Sequence, residues 1–549
     1  MTKSILPFFL AIACFFTYGQ ARSQSTFSVV KSMLETHCTV GCHNSIANAG
    51  LMNLTGTDAA VYSQIVNVTP INPAAASKGD KRITPGYPDR SFLLRKCNNG
   101  LYPNGGLTAG EGNAMPDGQP ALANNEIELI RQWVYKGSPL TGTVVDTSVI
   151  NDYYANGGIN SIPNPPAVPT DPGAFQLHLG KIFLAPQTEA EYFIKYDLRL
   201  PEDIKVDRIE MIMAPQSHHF IIYKFLPGEE SSFASGLRLQ NPDNGAGSSG
   251  ASSTLVNAWQ ISFDTHLPEG TAYYWPSESV LDLNYHMRNY ATDSVLAVEA
   301  YINVYTLPAS SPEQIMYSTL LTNLNIFIPN DNAPHSFSKA DFDASQDNYW
   351  NIWQLTSHTH KYGIDFDIFK RNANGSQGTQ IYEGFYDVNY SFNQGYYNFS
   401  HPAIRQFEPL ETFNPRHGLI QQATFQNDGP SPVFFGLTTQ DEMMVYYMQF
   451  TLGDLIDETG IEDFQDQLKL NVFPNPSDGI FNVSFVNKAG GTVSVQLTDV
   501  AGRLVYSGKL NTGSGQQTAI LDAGQLTSGL YFLQVSSESG KSVKRIAVR

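Results

Sequence analysis

The stretch Gln354–Gly363, QLTSHTHKYG, sets His358 and His360 two residues apart. On a β-strand that spacing puts both imidazoles on one face, aimed at a common target. Two imidazoles converging from one strand can hold a transition metal. Downstream, TTQDEMMVYY (438–447) offers the thioether of Met443 as a third donor, and a soft, neutral thioether favours Cu(I) over zinc. Upstream, His218 and His219 open the run HHFIIYKF, and His286 sits in VLDLNYHM. Adjacent strand residues face opposite ways, so His218 and His219 can share a metal only across a bulge or at a strand end. Three imidazoles suit copper or zinc about equally.

The same strand-like texture extends outward from this stretch. Short runs such as AEYFIKYDLRL (190–200) and DRIEMIMA (207–214) are separated by Gly, Pro and Asn turns, and helical periods are scarce. Over residues 173–455 this pattern predicts two tandem β-sandwiches, 173–310 and 311–455. The Gly- and Ser-rich segment Asn241–Thr254 reads as a surface loop in the first of them. No cysteine falls in residues 173–455, so their stability must come from core burial.

At 549 residues the chain is long enough for several domains. Its formal net charge of −18 makes nucleic acid and anionic lipid poor partners. Residues 1–21 have the form of a secretory signal, with Lys3 followed by the apolar run ILPFFLAIACFF. No second apolar run is long enough to span a membrane.

Cys38, Cys42 and Cys97 are too few for a disulfide framework in a large exported chain. Cys38, Cys42 and His43 form C-x-x-x-C-H, one residue longer than the usual motif for covalent haem attachment, in which the His takes the iron. Zinc binding or a disulfide between the two thiols is the other reading of the pair. The segment before it, FSVVKSMLETHC (27–38), has helical spacing, and Asn125–Lys136 reads as an amphipathic helix with Ile127, Ile130, Trp133 and Val134 inward. Residues 141–172 are rich in Pro, Gly and Asn and read as a linker between two modules. The acidic stretch 456–467 reads as a second joint, before alternating strands over 468–549 that predict a small all-β module.

Three resemblances organise these pieces. The segments GLMNLTG, PGYPDRSFLLRKC and AMPDGQPALANNEIELIRQWVYKGSP resemble, in order, those of small c-type cytochromes over residues 26–140. That likeness implies a haem c domain with Met115 as distal ligand opposite His43.

The order HH, H, H-x-H, E-M, with its flanks LPEDIKVDRIEMIMAPQSHHF and TQDEM, resembles the copper type II, ascorbate-dependent monooxygenases over about residues 175–450. Dopamine β-monooxygenase and peptidylglycine α-hydroxylating monooxygenase belong to that family. The likeness implies two copper ions: one on His218, His219 and His286 that transfers electrons, and one on His358, His360 and Met443 that meets dioxygen. It also implies hydroxylation of a C–H bond in a small-molecule or peptide substrate. Electrons would come from ascorbate or another redox donor, with the fused haem as a further relay. Thr356 stands where the peptide-amidating members carry an Arg that clamps the substrate carboxylate, so a glycine-extended peptide is not supported.

From NPSDG through DVAGR and SGLYFLQV to the terminal KRIAVR, residues 468–549 resemble the C-terminal sorting domain of type IX secretion. This implies a protein secreted or attached to the cell surface. The expected whole is multidomain and mainly β: an α-helical cytochrome c domain, two copper-binding β-sandwiches and a small C-terminal β-sandwich. The competing expectation is an extracellular haem and copper electron-transfer or copper-binding protein without hydroxylase activity.

Overall fold

The computed structural model describes residues 24–102, 105–240, 246–248, 250–384, 401–456 and 468–549. The expected signal sequence and nearly all of the expected acidic joint lie outside them. The chain is mainly β and divides into two compact units, residues 1–455 and 456–549. No helix among the described residues is long and apolar enough to cross a membrane.

The first unit begins with helices α1 (Thr26–Cys38), α2 (Asp58–Ile65), α3 (Pro73–Ser77), α4 (Phe92–Cys97), α5 (Asn124–Tyr135) and α6 (Thr147–Asn156). Ser25 caps α1 by accepting the Ser28 amide at 3.1 Å, and the Glu126 carboxylate accepts the Ala123 amide at the start of α5 at 2.8 Å. Phe27, Leu34, Ile127, Ile130, Trp133 and Val134 meet in one core.

Here the linker expectation fails over its first half. Val145 and Ile150 belong to the helical core, Asp146 caps α6, and Gly157, at φ 71°, ends it. Ile159–Asn160 then pairs in parallel with Leu296–Ala297. The Pro and Gly content masked a capped ten-residue helix.

The helical module rests directly on the first β module. Gln132 donates to the Lys181 carbonyl at 2.7 Å, Arg131 donates to the same oxygen, and Arg90 pairs with Asp197. A Cβ on Gly86 would come within 2.4 Å of the Gly236 backbone, so the two modules touch main chain to main chain there.

In the first β module two sheets share one core. One contains Phe175–Leu184, Leu296–Pro308, Ile204–Met213, Phe263–His266 and Thr271–Trp275. The other runs Leu237–Leu239, Glu189–Asp197, Val280–Arg288, Ser217–Phe225, Ser253–Trp259. Val206, Ile209, Phe220, Leu281 and Ile302 fill the space between them. The second β module repeats the plan. Gln314–Thr322, Val445–Leu455, Asn348–His358 and Ile404–Phe413 face Pro334–Asp341, Leu419–Gln426, Gly363–Arg371 and Gln377–Glu383 across Ile352, Leu355, Phe366 and Phe425. Gln314–Ile315 pair in parallel with Thr271–Ala272, so one sheet of ten strands runs through both modules.

The second unit has a three-stranded sheet and a four-stranded sheet around Phe481, Phe485, Leu497, Leu533 and Ile546. The strand Ile480–Asn487 alternates strictly between outward and inward residues, as a half-buried strand must.

Candidate metal centres

His219 lies opposite His286 across antiparallel strands, and the next pair is Met287 with Ser217. His218 is therefore the extra residue of a bulge, which turns it to the same side as its neighbour. His358 is the last residue of its strand, whereas His360 lies two residues beyond it, at a turn closed by Gly363 N–H donating to the His360 carbonyl at 3.1 Å. The same-strand reading of that pair thus needs amending: His360 reaches the common target from the turn.

The two histidine sets do not stand apart as two separate sites. Ring centroids of His218 lie 4.9 Å from His286, 5.0 Å from His358 and 5.0 Å from His360. The groups His218/His219/His286 and His218/His358/His360 each bring one nitrogen per ring within 4.8 Å of the others, and His218 belongs to both.

Around these rings the outer hydrogen bonds differ by side. His286 Nε2 donates to Glu189 at 2.7 Å. His219 Nε2 donates to Asn284 Oδ1 at 3.0 Å and lies 3.5 Å from Glu191. His358 Nδ1 donates to Gln260 Oε1 at 3.1 Å, and His360 Nδ1 to the Asp441 carbonyl at 3.0 Å. Three inner nitrogens, His218 Nε2, His286 Nδ1 and His358 Nε2, are buried with no partner.

Burial, reinforced by neighbouring imidazoles, holds His218 and His358 well below the usual histidine range. Burial also brings His360 down to about 4, against the opposing pull of the Asp441 carbonyl. Burial works against ionisation of Glu189 and Glu191, but hydrogen bonds from His286 and His219 overcome it and hold both near about 2. Imidazoles with three orphaned inner nitrogens and fixed outer tautomers suit a transition-metal ion such as copper or zinc.

Met443 is half-buried and borders, with His219 and His358, a cavity of about 390 Å³ between the β modules. Its neighbours Met444 and Met448 are fully buried in the second core, and the Met444 sulfur accepts from Asn323 Nδ2 at 3.3 Å. Glu442, wholly buried, accepts the backbone amides of His360 at 2.8 Å and Tyr362 at 2.7 Å. The E-M step thus ties the H-x-H turn to the methionine segment. Glu189, Glu191, Gln260, Asn284 and this role of Glu442 were missed in the sequence. The alternation Glu189-x-Glu191 was visible, but its register against His286 was not.

In the helical module, His43 Nδ1 donates to the Ala49 carbonyl at 2.8 Å, which leaves Nε2 for a ligand. His43, Met115, Cys38 and Cys97 border an apolar cavity of about 340 Å³, with Leu34 and Phe92 on its wall. Cys42 is exposed and is not part of that wall. Burial pushes the Cys38 thiol up to about 11 and Cys97 up to about 12. An apolar crevice holding an imidazole, a thioether and a thiol fits a haem. Cys97, which the motif leaves unplaced, lies on the same wall.

Of the remaining histidines, His37 contacts Glu126, His178 contacts Glu299, His266 contacts Asp264 and His335 contacts Asp331. A further oxygen cluster, Asp365, Asp367 and Glu383, lies on the outer sheet of the second β module.

A family model for a secretion system C-terminal sorting domain matches residues 471–549. A search of curated proteins gives no match. Among solved structures, β-glucuronidase from Parabacteroides merdae is 13% identical over 40% of this chain and 29% of its own, with a TM-score of 0.13. The BSP domain of a biofilm-associated protein is 9% identical over 65% and 81%, also at 0.13. The β-glucuronidase of Ruminococcus gnavus with D-glucuronic acid is 12% identical over 45% and 41%, at 0.12. The chain spans less than a third of the length of the Parabacteroides enzyme, and overlaps this slight carry no argument about fold or activity. The C-terminal module is a type IX secretion sorting domain, and the protein is exported across the outer membrane to be secreted or held at the cell surface.

Proposed function

We propose that the exported chain is a copper-dependent monooxygenase that hydroxylates a C–H bond with dioxygen, and that its helical module is a c-type haem domain. The observation that carries this reading is the meeting of five imidazoles, three of them with an inner nitrogen left free, beside an apolar cavity that Met443 borders. His218, His219 and His286 would hold one copper; His358, His360 and Met443 would hold the other. His43 and Met115 would hold the haem iron, with Cys38 and Cys42 as the attachment thiols. When bound, copper supplies dioxygen activation and haem supplies one-electron transfer.

The chain's own residues do the rest. Glu189 and Asn284 fix the tautomers of His286 and His219. Gln260 and the Asp441 carbonyl fix those of His358 and His360. Glu442 sets the turn that carries His360. Aromatic and aliphatic side chains make up most of the wall of the cavity beside Met443.

The test is copper and haem quantitation on the purified chain, joined to oxygen uptake with ascorbate across a panel of organic substrates. Stoichiometric copper and substrate-dependent uptake are expected. Copper and haem without such uptake would make the chain an extracellular electron-transfer or copper-binding protein. Substoichiometric copper would refute both readings.

A further inference from the structure

The cavity beside Met443 carries chemistry of its own. Phe193, Ile221, Trp259, Leu320, Ile404 and Val445 give it apolar walls drawn from both β modules. Among the described residues on its wall there is no Lys or Arg. A carboxylate or phosphate inside would be desolvated with no counter-charge. The one wall carboxylate, Glu191, is taken: Asn284 Nδ2 donates to it at 2.8 Å and His219 lies 3.5 Å away. Among the described wall residues an ammonium group would find no free acid, and it would sit beside histidines suited to bind cations.

Two hydroxyls on the wall have no partner, Thr356 Oγ1 and Ser248 Oγ, and the first lies on the strand that carries His358. Thr356 is 8% exposed, its Oγ1 has no hydrogen-bond partner, and it precedes His358 by two residues on the same strand, hence on the same face. A buried hydroxyl left unpaired costs roughly 1–3 kcal/mol, which a ligand group able to pair with it recovers.

We propose that this cavity binds an uncharged, largely apolar molecule bearing one hydroxyl or carbonyl group, with Thr356 Oγ1 as the specificity-determining partner of that group. Calling the molecule a substrate rests on the monooxygenase reading; the binding itself does not. Thr356 orients the bound skeleton against the wall that His358 and Met443 share. The same hydroxyl makes the site discriminate, because a molecule lacking the polar group leaves Thr356 unpaired.

The experiment is calorimetric titration of the metal-free full chain with four molecules that share an eight-carbon skeleton: phenethyl alcohol, ethylbenzene, phenethylamine and phenylacetate. Phenethyl alcohol is expected to bind about tenfold more tightly than ethylbenzene, in line with one recovered hydrogen bond. Both charged probes should bind more weakly than ethylbenzene. Thr356→Val should bring the alcohol and ethylbenzene level while ethylbenzene affinity holds, which shows the cavity intact; Thr356→Ser should keep the preference. Tightest binding of either charged probe, or no binding of any of the four, overturns the proposal. So does an alcohol preference that survives in Thr356→Val but vanishes in Ser248→Ala, since Ser248 Oγ is the other unpaired hydroxyl on this wall. Neutral-probe binding without oxygen uptake would sink the monooxygenase reading and leave this one standing.

Discussion

The two sides of the histidine cluster are braced differently. On the first β module the outer contacts include the carboxylates Glu189 and Glu191; on the second they are an amide oxygen and a backbone carbonyl. A carboxylate behind an imidazole makes it a stronger donor and favours the more highly charged ion, whereas a neutral acceptor fixes the ring without adding charge. On the proposed copper reading, with the Met443 thioether as a donor, the second side would be the better host for Cu(I). One cluster thus carries a built-in gradient, set by residues that never face the cluster's centre.

The largest expected effect tests whether the sides are joined. His218 is shared by both triads, so His218→Ala should lower copper affinity on both sides by more than about 100-fold, beyond the usual cost of losing an outer-shell partner. If His219→Ala does equal damage to both sides, the sharing is wrong. Next, Glu189→Gln should cost about 10- to 100-fold in Cu(II) affinity and less in Cu(I). Gln260→Ala should affect the two ions alike, and competition titration with each ion reads the contrast.

Met443→Leu conserves volume, so it should shift stability by under about 1.5 kcal/mol while abolishing oxygen uptake and leaving the first-side copper in place. Full activity in that variant would return the thioether role to another residue. The smallest effect concerns carboxylates with no imidazole partner. Burial, then Asp365 and Glu383, raises Asp367 to about 7, opposite to Glu189. Its folded form holds a proton that the unfolded chain has already released. The stability it contributes is therefore full at acid pH and is lost as pH rises through 7. Thermal melts of Asp367→Asn should gain on the wild type between pH 5 and pH 8.

Much of the β architecture was legible because alternation and turn residues are local signals: Ile480–Asn487 shows its pattern without reference to any partner. The candidate donors stood out for a similar reason, since H-x-H, HH and C-x-x-x-C-H are compact. What could not be read was register. Whether Glu189 meets His286 depends on the register of strands 97 residues apart, and whether His218 serves one set or two depends on a one-residue bulge against His286; sequence spacing encodes neither. Helix α6 was missed for a different cause: a sound Asp cap and Gly stop were outweighed by the Pro-rich composition that follows.

The contact of Gly86 with Gly236 has a kinetic corollary. Because the two modules touch main chain to main chain at this point and side-chain hydrogen bonds flank it, the span from His43 to His286 is set when the chain folds, not by diffusion on a tether. Lengthening the exposed segment 163–170 with Gly and Ser residues should therefore leave any electron-hopping rate between the two pockets unchanged. A tethered pair would slow as its effective concentration fell.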